Sequence, residues 1–592
     1  MERILIGVNA VAAAAVAASF VVLFGFKSPL LPQQEQILYG VQIFLLLVFI
    51  AEKIVRLLNA VSKAEFWGAN WFEVPLLLAL VAAVLGAGRW FATGPDEASA
   101  VRHLAVGIYL LIQVITKLCR TCVNLAASGK NPTQTLIASF LFLIITGAGF
   151  LMLPRAAGED KERLGFVDAL FTSTSATCVT GLIVKNTGED FSLMGQVVIL
   201  ALIQLGGLGI VVFGAVFALL LGQALSVRES VAMQDLLSAR TLSRIGNMIA
   251  FVFVGTVLIE GVGAVTMFGM WDDVPGRVAS IHEQWFCSIF HSISAFCNAG
   301  FSLFGDSFTG YSSSWGVFLV VCPLIILGGL GFSVLYDIGN ILTDRVKRFF
   351  KKWFNKQYRF SMEAPKRMRL QTKIVLSVSA GLIILGAAAI LLFERYACGN
   401  GPAQEADMLG ALFQSITART AGFNTVDISA MSASSRFVLI LLMFIGGSPG
   451  STAGGIKTVT LAVVIMTAVT ALRKRGEVEM FRRSIRIAVV GRAITVTLLF
   501  VAVLFLATLA LSITENSNDD IAMSDIMFEA GSALGTVGLT TGLTPDLTDV
   551  GKLIIIVVML VGRLGPLTLL AALTFNMKPV QYNYPNEAII VG

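Results

Sequence analysis

Charged residues are scarce in this sequence. Asp, Glu, Lys and Arg make up 14% of the 592 residues, whereas 56% are hydrophobic. Soluble domains carry about 25% charged residues, and a helix that crosses a bilayer needs about 20 mostly apolar residues. Many apolar runs reach that length here. The composition therefore argues against a soluble protein and predicts an all-α protein that crosses a membrane many times.

Residues typical of enzyme, metal and nucleotide sites are equally sparse. His103, His282 and His291 are isolated, and no His-Glu-x-x-His motif occurs. The pair Cys119-x-x-Cys122 has neither a second pair nor a nearby histidine, which argues against a zinc site. No Gly-x-Gly-x-x-Gly follows a strand pattern, so we expect no nucleotide-binding domain in this chain. A membrane-embedded enzyme is a remote alternative, no covalent cofactor is indicated, and the net charge of +6 gives no reason to expect nucleic acid.

Residues 1–130 hold four apolar segments, at about 4–25, 37–58, 71–88 and 101–119. The connections 53–70 and 117–130 are basic, which places them and the N-terminus in the cytoplasm by the positive-inside rule. No convincing cleavage site closes the first segment, so we expect no cleaved signal peptide. No Arg-x-x-Arg-x-x-Arg helix follows. We therefore interpret 1–130 as an accessory four-helix extension rather than as a voltage sensor.

From residue 131 the sequence repeats one pattern four times. Each repeat has a long apolar helix, a short half-polar segment that ends near a glycine, and a second apolar run. We call the short parts the first to fourth glycine segments: FTSTSATCVTGL (171–182), FHSISAFCNAGF (290–301), FQSITARTAGF (413–423) and FEAGSALGTVGL (528–539). The expected repeats are 131–243, 244–368, 369–486 and, with the C-terminal tail, 487–592.

Two spacings support an internal duplication. The phenylalanine that opens each segment precedes a glycine by ten residues, or by nine in the third segment. A cluster of small residues follows that glycine after 24 to 28 residues. The clusters begin at Gly206, Gly328, Gly446 and Gly562.

The basic residues lie at the junctions between repeats. The connection 345–373 holds eleven Lys and Arg residues against Glu363, and 473–486 holds six Arg and Lys residues. Both junctions are therefore expected in the cytoplasm, as are both termini, and the glycine segments then enter from the opposite face. Such a basic face could also hold anionic membrane lipid.

The glycine segments can bind a cation through their backbone. Non-helical backbone at membrane depth is tolerated only within protein or along a water-filled path. A short helix directs the negative end of its dipole inward, and the carbonyls of the following turn can replace the water around a K⁺ ion. The alternative is four unrelated tight turns. The predicted filter residues are Val179, Thr180, Gly181, Asn298, Ala299, Gly300, Thr420, Ala421, Gly422, Thr536, Val537 and Gly538.

Two features interrupt the second helices of the third and fourth repeats. The stretch GGSPGSTAGG (446–455) contains a proline and several glycines, so it predicts either an irregular loop along the path or a helix kink. Arg563 lies inside an apolar run, where an arginine is costly, so it is a candidate functional residue or half of a buried ion pair. Lys457 is either a lysine at a helix end whose amino group reaches the membrane surface or a residue that acts in gating. Glu260 is expected to pair with a polar group.

These motifs resemble the Trk/Ktr/HKT superfamily of K⁺ transporters. RTAGFNT (419–425), SPGSTAGGIKT (448–458) and EAIIVG (587–592) look most like its Ktr-type membrane subunit, and the resemblance covers about 130–592. It implies four membrane–pore–membrane repeats around a central pore, with K⁺ bound at the filter residues. Serine in the first segment goes with Na⁺ permeation in that superfamily, so Gly181 implies K⁺ selectivity.

The resemblance also implies a gate and partners. The loop 446–455 would be an intramembrane gate below the filter, and Arg563 would form an electrostatic barrier there. The gate residues are Gly446, Gly447, Ser448, Pro449, Gly450, Ser451, Thr452, Gly454, Gly455 and Arg563. A homodimer, a cytosolic nucleotide-binding regulatory subunit and the bacterial inner membrane are implied as well. Passive K⁺ conduction and transport coupled to H⁺ or Na⁺ both remain open.

Overall fold

The computed structural model describes residues 132–209, 245–354, 365–398, 407–515 and 521–573 except 160, 275, 276 and 279, together with Pro32–Leu58 and scattered positions from 15 to 110. We number the described helices in chain order. Helix α1, Pro32–Leu58, covers the second expected apolar segment. The other three N-terminal segments lie almost entirely outside the described residues, and the motif EAIIVG lies wholly outside them. The division into repeats and the count of N-terminal helices therefore stay predictions.

The first two repeats each place a short helix between longer ones. The first contains α2 Pro132–Leu151, α3 Phe166–Thr177 and α4 Leu193–Leu208. The second contains α5 Ile245–Met267, α6 Ile281–Cys297, α7 Cys322–Leu330 and α8 Phe332–Phe354, with a 3₁₀ turn at Phe268–Asp273 and a π-helical turn at Val317–Val321.

The third and fourth repeats follow the same order. The third contains α9 Leu370–Cys398, α10 Met408–Thr417, α11 Ala433–Phe444 and α12 Thr458–Leu472. The fourth contains α13 Ile487–Thr514, α14 Met523–Gly535, α15 Asp549–Leu564 and α16 Pro566–Leu573. Among the described residues, three helices are long and apolar enough to cross a membrane, or four if the bent pair α7–α8 is one span.

Two second helices are broken where continuous helices were expected. The breaks fall at Gly331 and Gly565, which have φ of +85° and +84°, and α4 ends just before Gly209, which has φ of +80°. Left-handed backbone ends an α-helix, and glycine adopts it without a steric penalty. At Gly331 the chain turns by 104° between α7 and α8.

One β-hairpin departs from the all-helical expectation. Strands β1 Val478–Met480 and β2 Arg483–Ile485 pair antiparallel within the basic connection 473–486. Phe481 and Arg482 form the two-residue turn with φ of +48° and +61°. Positive φ at both central residues matches the twist of a tight hairpin.

The short helices occupy the buried centre of the molecule. The second helix of each repeat packs against the short helix of the next repeat, so that α4 contacts α6, α7 contacts α10, α11 contacts α14 and α15 contacts α3. Polar residues of the short helices can be buried there because their hydroxyl groups donate hydrogen bonds to backbone carbonyl oxygens. Thr174 Oγ1, for example, donates to Leu170 O at 2.7 Å, and Ser173 Oγ donates to Ile144 O of α2 at 2.7 Å. This packing brings the four glycine segments together.

Candidate cation site formed by the four glycine segments

Each glycine segment leaves its helix through the same backbone turn. The filter glycine has positive φ, and so does the residue two positions before it. The pairs are Val179 (+57°) with Gly181 (+93°), Asn298 (+58°) with Gly300 (+71°), Thr420 (+77°) with Gly422 (+80°), and Thr536 (+50°) with Gly538 (+93°). Left-handed backbone is unusual for threonine and more so for valine, and such positions persist only where the surroundings hold them.

The four turns contact one another in a closed ring. A Cβ atom added to any filter glycine would meet the carbonyl oxygen of the next segment, and the fourth segment faces the first. The contacts are Gly181 with Ala299 O, Gly300 with Ala421 O at 2.8 Å, Gly422 with Val537 O, and Gly538 with Thr180 O. No side chain fits at these positions. The ring therefore gathers one backbone oxygen from each segment at one level.

Hydroxyl groups of four Ser and Thr residues hold the four turns through hydrogen bonds to the backbone. Ser175 Oγ donates to Leu182 O at 2.7 Å and accepts from Gly181 N at 3.1 Å. Ser294 and Thr417 donate to Phe301 O and Phe423 O at 2.8 and 2.6 Å, and Ser532 Oγ accepts from Gly538 N at 3.1 Å. The sequence prediction missed these residues, although a Ser or Thr five or six residues before each filter glycine was a visible signal.

In the second and fourth segments, the residue directly after the phenylalanine also supports the turn. In the second segment, His291 Nε2 lies 3.1 Å from Ser302 Oγ and accepts from Leu303 N at 3.3 Å. In the fourth, Glu529 accepts from Thr541 N at 3.1 Å and from Thr544 Oγ1 at 2.7 Å. Each side chain ties the strand-like backbone after the filter glycine to the short helix. The sequence prediction treated His291 only as an isolated histidine.

Three threonines of the predicted filter have free hydroxyls. The Oγ1 atoms of Thr180, Thr420 and Thr536 are buried and make no hydrogen bond among the described residues. Buried hydroxyls normally have a partner, so an unpaired one indicates a place for water or an ion. These atoms are the only side-chain oxygens that the predicted filter places beside the ring carbonyls, apart from the amide of Asn298.

The loop 446–455 lies against the second and fourth repeats. Ser448 N donates to Gly329 O at 3.0 Å, and Ser448 Oγ donates to Leu330 O. Gly450 O accepts from Phe332 N at 3.0 Å across the break between α7 and α8. A Cβ on Gly454 would meet Thr536 Oγ1 of the predicted filter. The loop therefore contacts the fourth glycine segment at Thr536.

Arg563 joins this loop to the first repeat. Its guanidinium donates to Thr452 O of the loop, to Gly206 O at 2.5 Å and to Gly207 O at 3.3 Å. Within the described residues it forms no ion pair, so the sequence alternative of a buried ion pair finds no support there. The charge is instead surrounded by backbone carbonyl groups from two repeats.

Two further residues named from the sequence now have partners. Glu260 accepts from Gln204 Nε2 at 3.1 Å and lies 3.8 Å from Cys297 Sγ, next to the second filter turn. Lys457 Nζ donates to Ala453 O at 2.7 Å, so it binds the loop itself rather than lying free at a helix end. Arg419, which the sequence prediction did not single out, is buried and donates to Ser379 Oγ at 3.2 Å.

The fold is that of a multi-pass helical membrane transporter. The chain superimposes on the crystal structure of the potassium transporter TrkH from Vibrio parahaemolyticus with a TM-score of 0.56 and 19% identity, over 86% of this chain and 96% of that one. At that identity the likeness concerns the fold alone. Residues 104–581 match the TrkH family, described as cation transport protein. The chain belongs to this family, which confirms the resemblance read from the sequence, and the family is one of transporters rather than enzymes.

Relatives of known name cover most of the chain. It is 36% identical to the potassium/sodium uptake protein NtpJ of Enterococcus hirae, over 78% of this chain and 97% of that protein. It is 37% identical to the Ktr system potassium uptake protein B of Bacillus subtilis, over 78% of this chain and 97% of that protein.

Proposed function

We propose that this chain is the K⁺-selective, ion-conducting subunit of a potassium uptake system. The observation that carries the proposal is the closed ring in which each filter glycine faces the carbonyl oxygen of the next segment. Carbonyl dipoles without charged side chains suit a monovalent cation. The names of the relatives, which describe potassium uptake proteins, support K⁺ as that cation.

The ion would pass from the ring to the loop 446–455. The C-terminal ends of α3, α6, α10 and α14 lead directly into the four turns, and each end adds roughly half a negative charge that favours a cation. The four segments differ in sequence, so we expect fewer well-formed ion sites than in a symmetric Thr-Val-Gly filter. The membrane potential drives uptake with about 2.3 kcal/mol per charge per 100 mV.

The loop and Arg563 would form the gate. The loop closes the space below the ring through bonds to α7 and α8, and Arg563 places a positive charge on its carbonyl at Thr452. A cation below the ring therefore meets both an obstacle and a repulsive charge. Opening would exchange the bonds of Ser448, Gly450, Thr452 and Arg563 to the neighbouring repeats for bonds to water.

The assembly we propose is a homodimer in the bacterial inner membrane with both termini in the cytoplasm. The basic connections 345–373 and 473–486 support this orientation. A gate without a sensor domain on the same chain favours a cytosolic nucleotide-binding regulatory subunit, and the word "system" in the name of the Bacillus subtilis relative points the same way. The four-helix extension 1–130 and the four repeats from 131 remain the proposed domain division.

Flux in liposomes tests the function. Purified protein in vesicles should carry ⁸⁶Rb⁺ and K⁺ down their electrochemical gradient and should discriminate against Na⁺. Equal flux of K⁺ and Na⁺ would refute a K⁺-selective filter. Accumulation of K⁺ against its electrochemical gradient, driven by an imposed H⁺ or Na⁺ gradient, would show coupled transport rather than passive conduction. In that case the buried Glu260, beside the second filter turn, favours H⁺ as the coupling ion.

A further inference from the structure

A cavity of about 300 Å³ lies in the third repeat, where α10 begins. It is bounded by α9, by α10, by the backbone that follows the third glycine segment, and by Ser312 and Ser313 of the second repeat. Its polar lining includes Glu394, Asp407, Gln414 and Thr425, and its apolar lining includes Ile390 and Leu409. Neither the candidate filter nor the candidate gate uses these residues. The volume lies at the lower end of the range for small-molecule sites.

Within the part of the chain that the structure describes, a salt bridge joins the repeats at two of the four junctions and is absent at this one, as it is between the first and second repeats, where Gly195 and Cys287 occupy the two positions. Lys552 Nζ and Asp168 Oδ1 are 2.8 Å apart between the fourth and first repeats, and Arg436 Nη1 and Asp525 Oδ1 are 2.7 Å apart between the third and fourth. In both junctions the acid lies three residues before the segment phenylalanine, and the base lies 14 residues after the filter glycine.

The junction between the second and third repeats has different residues at those two positions. They are Ser314 and Gly410. Ser314 Oγ donates to Asp273 Oδ2 at 2.6 Å, away from α10. A Cβ on Gly410 would meet only Val426 Cγ2, at 3.6 Å. Among the described residues, the space that two side chains fill at the third–fourth and fourth–first junctions is therefore left open here.

A hydrogen-bonded tie is also missing in the third repeat. Gln414 occupies the position of His291 and Glu529, both of which bind the backbone after the filter glycine. Gln414 is 1% exposed, yet neither its Oε1 nor its Nε2 has a partner among the described residues. Thr425, three residues after the filter glycine, is 4% exposed and its Oγ1 is also unpaired there. Buried polar groups of this kind are costly to leave unpaired, so the pair indicates a ligand with hydrogen-bonding groups.

The negative charge of the cavity lining favours a cationic ligand. Glu394 is 4% exposed and accepts from Ser432 N at 3.1 Å and Ser432 Oγ at 2.9 Å, both through Oε1. Its Oε2 accepts no hydrogen bond from the described residues. Within the same residues no Lys or Arg pairs with Glu394 or Asp407. A primary ammonium group has three N–H donors, enough for a carboxylate, an amide oxygen and a hydroxyl at once.

We propose that this cavity binds a small primary alkylammonium ion. The ammonium group donates to Glu394 and to Gln414 Oε1, and a short alkyl chain contacts Ile390 and Leu409. A bare metal cation suits the site poorly, because Ca²⁺ and Mg²⁺ require six or more oxygen ligands close together and much of this lining is apolar. The proposal goes beyond ion transport and does not depend on it.

Direct binding to the full chain tests the site. Purified protein in detergent with saturating KCl is titrated with n-butylammonium chloride, and binding is followed by saturation-transfer NMR. We expect a Kd of about 1 mM, the scale for a ligand of about five non-hydrogen atoms. Uncharged n-butanol should bind about tenfold more weakly or not at all, since it cannot form the charge-assisted bonds.

Three variants make the result specific. Glu394→Gln keeps an acceptor for Ser432 but removes the charge, so it should weaken n-butylammonium binding about tenfold. Gly410→Leu fills the cavity and favours the helix, so it should abolish binding without loss of folded protein. Glu479→Gln removes a carboxylate from the β-hairpin, where Glu479 pairs with Arg475, and should leave binding unchanged.

Several results would overturn the proposal. If n-butylammonium does not bind, water alone occupies the cavity. If n-butanol binds equally well, or if Glu394→Gln binds n-butylammonium as the parent chain does, the charge of Glu394 does not select the ligand. Unchanged binding in folded Gly410→Leu would place the bound ion elsewhere. None of these results depends on whether the chain conducts K⁺, so the site and the proposed function can fail separately.

Discussion

The ring of filter turns and the loop 446–455 lie next to each other but are held in place by different means. In the ring, four backbone turns of the same geometry contact each other with no room for a Cβ atom. The loop has no counterpart of its length among the described parts of the other repeats. It is held to them by single hydrogen bonds, from the side chains of Ser448, Thr452 and Arg563 and from two backbone N–H groups. A structure held by mutual backbone contact tolerates little change, whereas a loop held by single bonds can move when those bonds are exchanged. Under the proposed function, selectivity and gating would fall on separate parts of the chain.

The largest effect should follow from a side chain in the ring. In Gly181→Ser the new Cβ meets Ala299 O, and serine must adopt φ of +93°. Strained backbone of this kind costs of order 1–3 kcal/mol before the overlap is counted. We expect ⁸⁶Rb⁺ flux in liposomes to fall at least about tenfold and the preference for K⁺ over Na⁺ to decrease.

The matched control is Gly165→Ser in the same repeat. Gly165 is the N-cap of α3, where no atom lies within 4 Å of an added Cβ and where serine is a favoured residue. It should transport like the parent chain. If Gly181→Ser is folded and keeps both the flux and the K⁺ preference, the ring is not the selective element.

A smaller effect, of opposite sign, should follow from Arg563→Ala. The substitution frees the carbonyl groups of Thr452 and Gly206 and removes the positive charge below the ring. Hydrogen bonds from a charged group contribute about 1.5–3 kcal/mol, and the lower end of that range corresponds to a rise in basal ⁸⁶Rb⁺ flux of about tenfold. Arg563→Lys keeps the positive charge but loses the forked guanidinium group. Its basal flux should therefore lie between that of the parent chain and that of Arg563→Ala. A decrease in flux through properly inserted Arg563→Ala protein would exclude a restrictive role.

The smallest effect should follow from Ser448→Ala. This change removes one neutral hydrogen bond, to Leu330 O, and leaves the bond from Ser448 N in place. Such a bond contributes about 0.5–1.5 kcal/mol, so basal flux should rise about threefold to tenfold. Ser451→Ala is the control, because Ser451 Oγ bonds only to Ser448 O inside the loop, at 2.7 Å. Equal effects from both variants would show that contact with α7 does not hold the loop.

The contrast also explains what could be predicted. The short helices and glycine turns followed from a spacing that repeats four times, because each filter glycine has the same steric requirement. The sequence did not predict that His291 and Glu529 support the turns or that the amide of Gln414 is unpaired among the described residues. These three residues occupy the same position in their segments, but their side chains are chemically different. The breaks at Gly331 and Gly565 were missed because glycine within an apolar run fits both a continuous helix and a left-handed stop.

The sequence alone predicted a multi-pass membrane protein with a pattern repeated four times, and it named the four glycines that form the ring, because hydropathy and glycine spacing are local properties. Only the tertiary structure decided what the four repeats contact. The closure of the fourth turn onto the first, the span of Arg563 between Thr452 and Gly206, and the open junction at Gly410 all join residues from different repeats. Such contacts depend on how whole helices pack, and residue order does not encode them in any single stretch.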